Sequence, residues 1–192
     1  MRNWKLLLLC LFPLVLTGCG YNSLQSLDED VKASWGEVEN QYQRRNDLVP
    51  NLVATVKGYA KHEEDTLIGV TKARAEATQT KLDAKSLSDP QAFQRYEKAQ
   101  GEMSSALSRL MVVVEKYPDL KANENFRDLQ SQLEGTENRI TVARRRYIET
   151  VAEYNKQVRF FPTNLTAHFL GLNTKESFKA EAGAEKAPQV KF

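Results

Sequence analysis

The sequence is poor in the side chains that most often bind metals or act as nucleophiles. Its 192 residues include two cysteines, Cys10 and Cys19, and two histidines, His62 and His168. Di-iron helical bundles place a glutamate three residues before a ligating histidine, but a tyrosine and a leucine occupy those positions here. A P-loop, a Gly-x-Gly-x-x-Gly motif and a Gly-x-Ser-x-Gly motif are also absent from the sequence. We therefore expect no catalytic residues, no metal ligands and no cofactor, and we interpret the protein as a non-enzyme.

The sequence also lacks an excess of either charge. It contains 27 Lys and Arg against 25 Asp and Glu, whereas nucleic-acid binders carry a basic surplus that neutralises phosphates. The densest basic cluster is Arg144-Arg145-Arg146, and on a charged helix such a triplet is typical of a solvated face. We therefore expect no nucleic acid among the partners.

One long apolar run is present, and it lies at the N-terminus. It spans Leu6–Leu16 and follows the basic residues Arg2 and Lys5, which is the order of a secretory signal peptide. A membrane-spanning helix needs about 20 apolar residues, but Pro13 interrupts this run and Gly18 follows it closely. The pattern therefore favours a cleaved signal peptide over an uncleaved membrane anchor.

The end of this run resembles the lipobox of bacterial lipoproteins, with Leu-Thr-Gly directly before Cys19. In that motif the cysteine thiol receives a diacylglycerol and the chain is cut on its N-terminal side. The resemblance implies a signal peptide over residues 1–18, cleavage between Gly18 and Cys19, and a palmitate-type lipid on Cys19 that holds the protein at the membrane. Gly20 stands where many lipoproteins of the inner membrane have Asp, so the periplasmic face of the outer membrane is favoured.

Cleavage at this site would leave 174 residues with 25 basic and 25 acidic side chains. That length suffices for one domain with a hydrophobic core. Because Cys10 leaves with the signal peptide and Cys19 is lipidated, no disulfide is available and packing must supply the stability. We divide the mature chain into a lipidated tether (residues 19–23), a helical bundle (24–172) and a loosely ordered C-terminal tail (173–192).

Helical periodicity dominates the bundle region. Apolar side chains recur every three or four residues along three seams, the pattern of helices that pack nearly parallel. The first seam comprises Leu24, Leu27, Val31, Trp35, Val38, Tyr42, Arg45, Val49, Leu52, Val56 and Tyr59. The second comprises Phe93, Tyr96, Gln100, Met103, Leu107, Leu110, Val114 and Tyr117. The third comprises Phe126, Leu129, Leu133, Thr136, Ile140, Ala143, Tyr147, Val151, Tyr154, Val158 and Phe161.

The seams predict an all-α fold, an elongated antiparallel up-and-down bundle of about four helices. We expect Asn22 or Ser23 to cap the first helix, and we expect that helix to continue through Pro50 with a kink, because the seam stays in register there. An unbroken helix over residues 24–81 would be about 87 Å long, with nothing to cover its far half. We therefore place a turn near Gly58–Glu63.

Proline and capping residues set the remaining boundaries. A shorter second helix passes through Thr66–Gln79, and a loop follows it. The predicted boundaries beyond that loop are Asp89 as a cap with Pro90 after it, Pro118 as a stop, Asn123 as the next cap, and Phe161-Pro162 as the end of the last long helix, followed by a short terminal piece over Leu165–Leu172.

Three seam positions are polar: Arg45, Gln100 and Thr136. Polar residues at such positions usually fix helix register or oligomeric state at a cost in stability. Arg45 could instead bind an anionic ligand in a gap of the bundle. We prefer the register interpretation.

Several separated stretches together resemble the LemA family of bacterial envelope proteins. They are residues 42–53, 56–59, 117–126, 136–140, 143–147 and 161–165. The resemblance implies a helical bundle held at the membrane by its N-terminus, with no established catalytic activity or cofactor. Two departures are Ile148, where many members have Asn, and the lipobox, which replaces a longer N-terminal membrane helix and leaves open whether this protein sits in the same membrane.

We therefore interpret the protein as a non-enzymatic lipoprotein of the bacterial envelope. Lipid on Cys19 would hold it at the membrane, and its bundle would present an interaction surface to an envelope protein in the periplasm. Two alternatives remain open. One is a small-molecule-binding bundle with a site between helices that uses Arg45 or the tyrosines, and the other is a structural homo-oligomer in which the seams pack against copies of the chain.

Overall fold

The computed structural model of this chain describes residues 2–60 and 62–179, with side chains from Gly20 onward. In those ranges every regular element is helical, as the seams predict. The elements are α1 (Arg2–Tyr59), α2 (Glu64–Gln79), a 3₁₀ turn (Ser86–Ser88), α3 (Pro90–Val114), α4 (Pro118–Ala122), α5 (Glu124–Arg159) and α6 (Thr163–Phe169). The predicted bundle of four long helices is confirmed, and the two short helices α4 and α6 extend it.

The four long helices run alternately up and down. We call the end that holds Tyr59 and Asn123 the distal end, because the Asn123 Nδ2 donates to the Tyr59 hydroxyl there, at 2.9 Å. At the opposite, proximal end α6 packs on both α1 and α5. From Gly20 to Tyr59, α1 is about 60 Å long, and α5 runs antiparallel beside it. The shorter helices α2 and α3 cover only the distal part of this pair, so the bundle is longer than it is wide.

The seam side chains form the core. They fall into two buried clusters, a distal one centred on Leu52, Val56 and Leu110 and a second, aromatic one centred on Trp35 and Tyr147. Two seam members, Tyr59 and Phe161, are exposed at the ends of the rod. Because nearly all the other positions are buried within the chain, the seams pack against one another inside a single molecule.

The start of α1 differs from the prediction. Neither Asn22 nor Ser23 caps it, because the helix begins at Arg2 and passes through the region assigned to a tether, residues 19–23. With no proline between residues 14 and 24, the backbone hydrogen bonds continue without a break, and a cap has no unpaired N–H group to accept from. The predicted passage of this helix through Pro50 and its end in the Gly58–Glu63 turn are confirmed.

The helix caps further along the chain were largely predicted. Asp89 accepts from the backbone N–H groups of Gln91 and Ala92 at 2.9 and 3.2 Å, and Asn123 accepts from Phe126 at 3.0 Å. Pro118 was expected only to stop a helix, but it also opens α4, since proline is well suited to a first helical position.

The predicted loose tail is wrong for residues 173–179. This segment is extended and hydrogen-bonded to the bundle. The Asn155 side chain donates through Nδ2 to the Lys175 carbonyl and accepts through Oδ1 from the Lys175 N–H. The backbone N–H of Glu176 donates to the Leu87 carbonyl at 2.8 Å. Phe178 is buried in the aromatic cluster. These hydrogen bonds and the buried ring together hold a stretch whose composition indicates disorder. Residues 180–192 of the predicted tail lie outside the described part of the chain.

Candidate functional site

Two of the three polar seam residues, Arg45 and Gln100, meet in the middle of the bundle, between the two buried clusters. Arg45 is 1% exposed, and its Nη2 donates to the side-chain Oε1 of Gln100 at 2.8 Å. Its Nη1 donates to Ser104 Oγ at 2.8 Å and to Glu137 Oε1 at 3.1 Å. Gln100 in turn donates through Nε2 to the Ala77 carbonyl at 3.2 Å. This network therefore joins all four long helices.

Arg45 is engaged mainly with the protein itself. Both of its terminal nitrogens have partners, and its guanidinium carbon lies 4.9 Å from the centre of the Tyr42 ring. Thr136 is buried nearby but donates to the Gln132 carbonyl of its own helix. The contacts therefore support the register interpretation for Arg45 and Gln100, and they do not bring Thr136 into the same network.

A cleft of about 330 Å³ opens beside this network, between α1, α3 and α5. Its wall carries both charges: Lys98 and Arg144 are basic, Glu97 and Glu137 are acidic, and Arg144 lies 3.8 Å from Glu97. An anion in the cleft would compete with these carboxylates for the same cations. The cleft therefore offers little support for the predicted anionic-ligand alternative.

The aromatic cluster is a packed core region. Trp35 lies between the rings of Phe93, Tyr96, Tyr147 and Phe178, with ring centres 5.2–6.1 Å apart. Its Nε1 donates to the Leu82 carbonyl at 2.9 Å. Burial raises the pKa of Tyr96 and of Tyr147 well above the ordinary value, so both hydroxyls stay protonated. These rings fill the space between the helices, as the seam spacing predicts for all of them except Phe178, which lies outside the seams.

The two histidines lie far apart in the fold. His62 is exposed in the turn after α1, at the distal end, and His168 is exposed on α6, at the proximal end. Among the residues that the structure describes, no three His, Cys, Asp or Glu side chains are grouped so that they could hold a metal ion.

An apolar groove lies on the outside of the distal half, between α1 and α2. It encloses about 730 Å³ and is lined by Val53 and Lys57 of α1 and by Glu64, Leu67, Ile68, Thr71, Lys72 and Ala75 of α2. Ile68, one of these residues, is 56% exposed. Sequence reasoning missed this groove, although Ile68, Thr71 and Ala75 repeat at helical spacing and form a second stripe on α2.

The N-terminal part of α1 leads to the predicted lipidation site. The side chain of Cys19 lies outside the described part of the structure, but its neighbour Gly20 is buried against Thr163 of α6. A Cβ at Gly20 would lie 3.0 Å from the Thr163 Cγ2. Within the described ranges, no helix combines the length and the hydropathy needed to cross a bilayer.

Known proteins resemble most of the chain. A family model described as the LemA family matches residues 34–192. Magnetosome protein MamQ 2 of Paramagnetospirillum magneticum is 25% identical over 181 residues, which cover 86% of this chain and 66% of that protein. Magnetosome protein MamQ of Magnetospirillum gryphiswaldense is 26% identical over 189 residues, covering 88% and 70%. Protein LemA of Metamycoplasma hominis is 22% identical over 159 residues, covering 83% and 68%. The chain thus spans about two-thirds of the length of the first of these relatives.

Proposed function

The chain belongs to the LemA family, and from this premise we propose that it is a non-enzymatic lipoprotein of the bacterial envelope that presents a docking surface to a protein partner. The observation that carries the proposal is that the two ends of the bundle differ. Its proximal end adjoins Cys19, and its distal half carries the apolar groove between α1 and α2. The bundle acts as a spacer between the two.

Anchoring is supported by the N-terminal sequence. The run Leu6–Leu16 and the Leu-Thr-Gly that precedes Cys19 have the order of a lipoprotein signal. A single acyl chain binds a membrane only reversibly, so stable attachment needs more than one chain on this residue. With Gly20 after the cysteine, we place the protein at the periplasmic face of the outer membrane.

The partner surface is supported by what the bundle leaves uncovered. The seams are buried within the chain, so they cannot serve a partner without unfolding. The α1–α2 groove is lined by apolar side chains, among them Leu67 and Ile68, together with the charged residues Lys57, Glu64 and Lys72, and protein interfaces likewise combine apolar with polar side chains. From Cys19 to Lys57 along α1 is about 57 Å, so the groove lies well clear of the membrane.

Anchoring is tested by replacing Cys19 with Ser in the full chain, with Cys10→Ser as the matched control. We expect Cys19→Ser to abolish lipidation and cleavage after Gly18, as read by the mass of the purified protein, while Cys10→Ser is processed normally. An unmodified N-terminus on the wild-type protein would overturn this part of the proposal.

The docking surface is tested in intact cells with a photo-crosslinking amino acid. We place it at Ile68 in the groove and, as a control, at Val142, which is 68% exposed on α5 outside the groove. We expect a discrete adduct with another protein from position 68 and none from position 142. Equal yields of adduct at both positions would refute the groove as the docking surface. An adduct with the mass of two copies of the chain would favour the homo-oligomer instead.

A further inference from the structure

Large apolar side chains are exposed together at the proximal end of the rod. Ten such side chains are exposed in the described part of the chain, and half of them lie at this end. We call these five residues the proximal rim: Tyr21, Phe160, Phe161, Leu165 and Phe169. Phe161 is 80% exposed and Phe169 is 89% exposed. Single exposed apolar residues are ordinary, but a group that includes three phenylalanines usually marks a contact surface.

The rim lies at the end of the bundle where α6 packs on α1 close to Cys19. Tyr21 belongs to α1 itself, two residues after that cysteine. The other four residues lie at the end of α5 and on α6, and Thr163 of α6 packs against Gly20. Each of them is within six residues of Thr163 along the chain, so the whole rim lies close to the predicted attachment point.

The charge around the rim favours an anionic surface. From Tyr154 to Lys175 the chain has no acidic residue, but it contains Lys156 and Arg159 near the end of α5. The Lys156 ammonium lies 5.6 Å from the centre of the Phe160 ring. On α1 the first acidic residue is Asp28, about 12 Å along the helix from Gly20. Aromatic rings with basic neighbours are typical of the membrane–water interface.

We propose that the proximal rim inserts into the headgroup region of the bilayer that carries the lipid anchor, with Phe161 and Phe169 entering deepest. The inference rests on the proposed anchoring at Cys19, since the anchor brings the rim to the membrane. A lipid alone is a flexible tether, because the diacylglycerol is joined to one side chain. Insertion of the rim gives the rod a second hold on the bilayer, and it fixes the angle at which the distal groove is presented.

The inference is tested with an environment-sensitive fluorophore on the full lipoprotein. The Cys10→Ala chain is given one cysteine at position 161, 169 or 112, labelled with NBD and reconstituted into vesicles of phosphatidylethanolamine with about one quarter phosphatidylglycerol. Val112 is the control, because it is 67% exposed on α3 toward the distal end. We expect a blue shift of emission and loss of iodide quenching at 161 and 169, and no change at 112.

The outcomes separate the two proposals. Protein that floats with the vesicles while positions 161 and 169 remain as accessible to iodide as position 112 would overturn insertion and leave anchoring intact. Protein that fails to float, with an unlipidated mass, would instead overturn the anchoring. Equal protection from iodide at all three positions would also refute selective insertion of the proximal rim, because it would mean that the bundle lies flat on the vesicle.

A second variant checks the consequence for orientation. Phe161→Ser/Phe169→Ser removes the two most exposed rings, and Val112→Ser/Val142→Ser removes two exposed apolar side chains elsewhere. Both pairs should fold with unchanged thermal unfolding. We expect energy transfer from a donor at Asp119, in α4 at the distal end, to an acceptor in the lipid to increase for the phenylalanine pair alone, because the rod then tilts. No difference between the pairs would refute a role in orientation.

Discussion

Another helix contacts α1 at the point where it passes through Pro50. Proline has no N–H, so the carbonyl of Asn46, four residues earlier, loses its usual helical donor. The structure supplies a replacement: Arg74 of α2 donates through Nε to that carbonyl at 2.8 Å. Asn46 is buried, so without this donor its carbonyl would have little access to water. We predict that Arg74 compensates for Pro50.

The size of the effect follows from this geometry. A hydrogen bond from a charged donor contributes about 1.5–3 kcal/mol, and because Arg74 is half-exposed we take the low end, about 1.5 kcal/mol, for Arg74→Met. In a chain of this size that lowers Tm by roughly 3–6 °C. In Pro50→Ala the new alanine N–H can donate to Asn46, so the same Arg74→Met change should then cost about 0.5 kcal/mol. The expected coupling is about 1 kcal/mol.

The assay is a double-mutant cycle on the purified chain, followed by urea unfolding with circular dichroism. Arg109→Met serves as the control, because Arg109 is exposed on α3, and we expect it to change stability by less than about 0.5 kcal/mol. The loss of stability caused by Arg74→Met is compared in the wild-type chain and in Pro50→Ala. If the two losses agree within about 0.4 kcal/mol, Arg74 does not compensate for Pro50.

Three further predictions follow from buried contacts. Arg45→Met should cost about 2 kcal/mol, read by urea unfolding, because Gln100 Oε1 loses its donor, while Glu137, 41% exposed, can turn to solvent; an unchanged or higher stability would contradict the register role. Phe178→Ala should cost about 3 kcal/mol by the same measurement, and Phe169→Ala close to none, because only the first ring is buried; equal effects would refute the packed C-terminal segment. Asp28 is buried, which acts to raise its pKa, but Lys32 at 2.8 Å and Lys175 at 3.1 Å hold the pKa below its ordinary value of 3.8. Its contribution to stability is therefore complete above that value and is lost as the pH falls through the lowered pKa. Asp28→Asn should remove this part of the acid denaturation curve, and an identical curve for the variant would show that the ion pairs contribute nothing.

Much of the bundle could be predicted because a single rule, a step of three or four residues, governs the positions of Trp35, Met103 and Ile140 alike. Burial at such positions can be predicted from residues close in sequence, and the same is true of the caps at Asp89 and Asn123. The passage of α1 through Pro50 was also predictable from the unbroken seam. The contact that Arg74 makes there was not, because it joins residues 28 apart in sequence.

The centre of the bundle was predicted only in part. Polar seam positions identified Arg45 and Gln100 separately, but sequence gave no means of pairing them, since the contact depends on how α1 and α3 are staggered. The place of Phe178 was missed for a similar reason. One ring in a stretch rich in Lys, Ala and Glu has no periodic pattern around it, and its burial depends on a gap between the rings of Trp35, Phe93 and Tyr147.

The closing of the aromatic cluster has a consequence for the order in which the chain becomes native. During synthesis Trp35 is added first. Tyr147 lies 112 residues after it, and Phe178 lies 143 residues after it. Until those rings are present, the apolar side chains of α1 around Trp35 lack the partners that bury them in the finished bundle. Contacts this remote form slowly, because a long loop must close before any of them is gained. The nascent chain therefore exposes the apolar side chains around Trp35 until Phe178 has been synthesised.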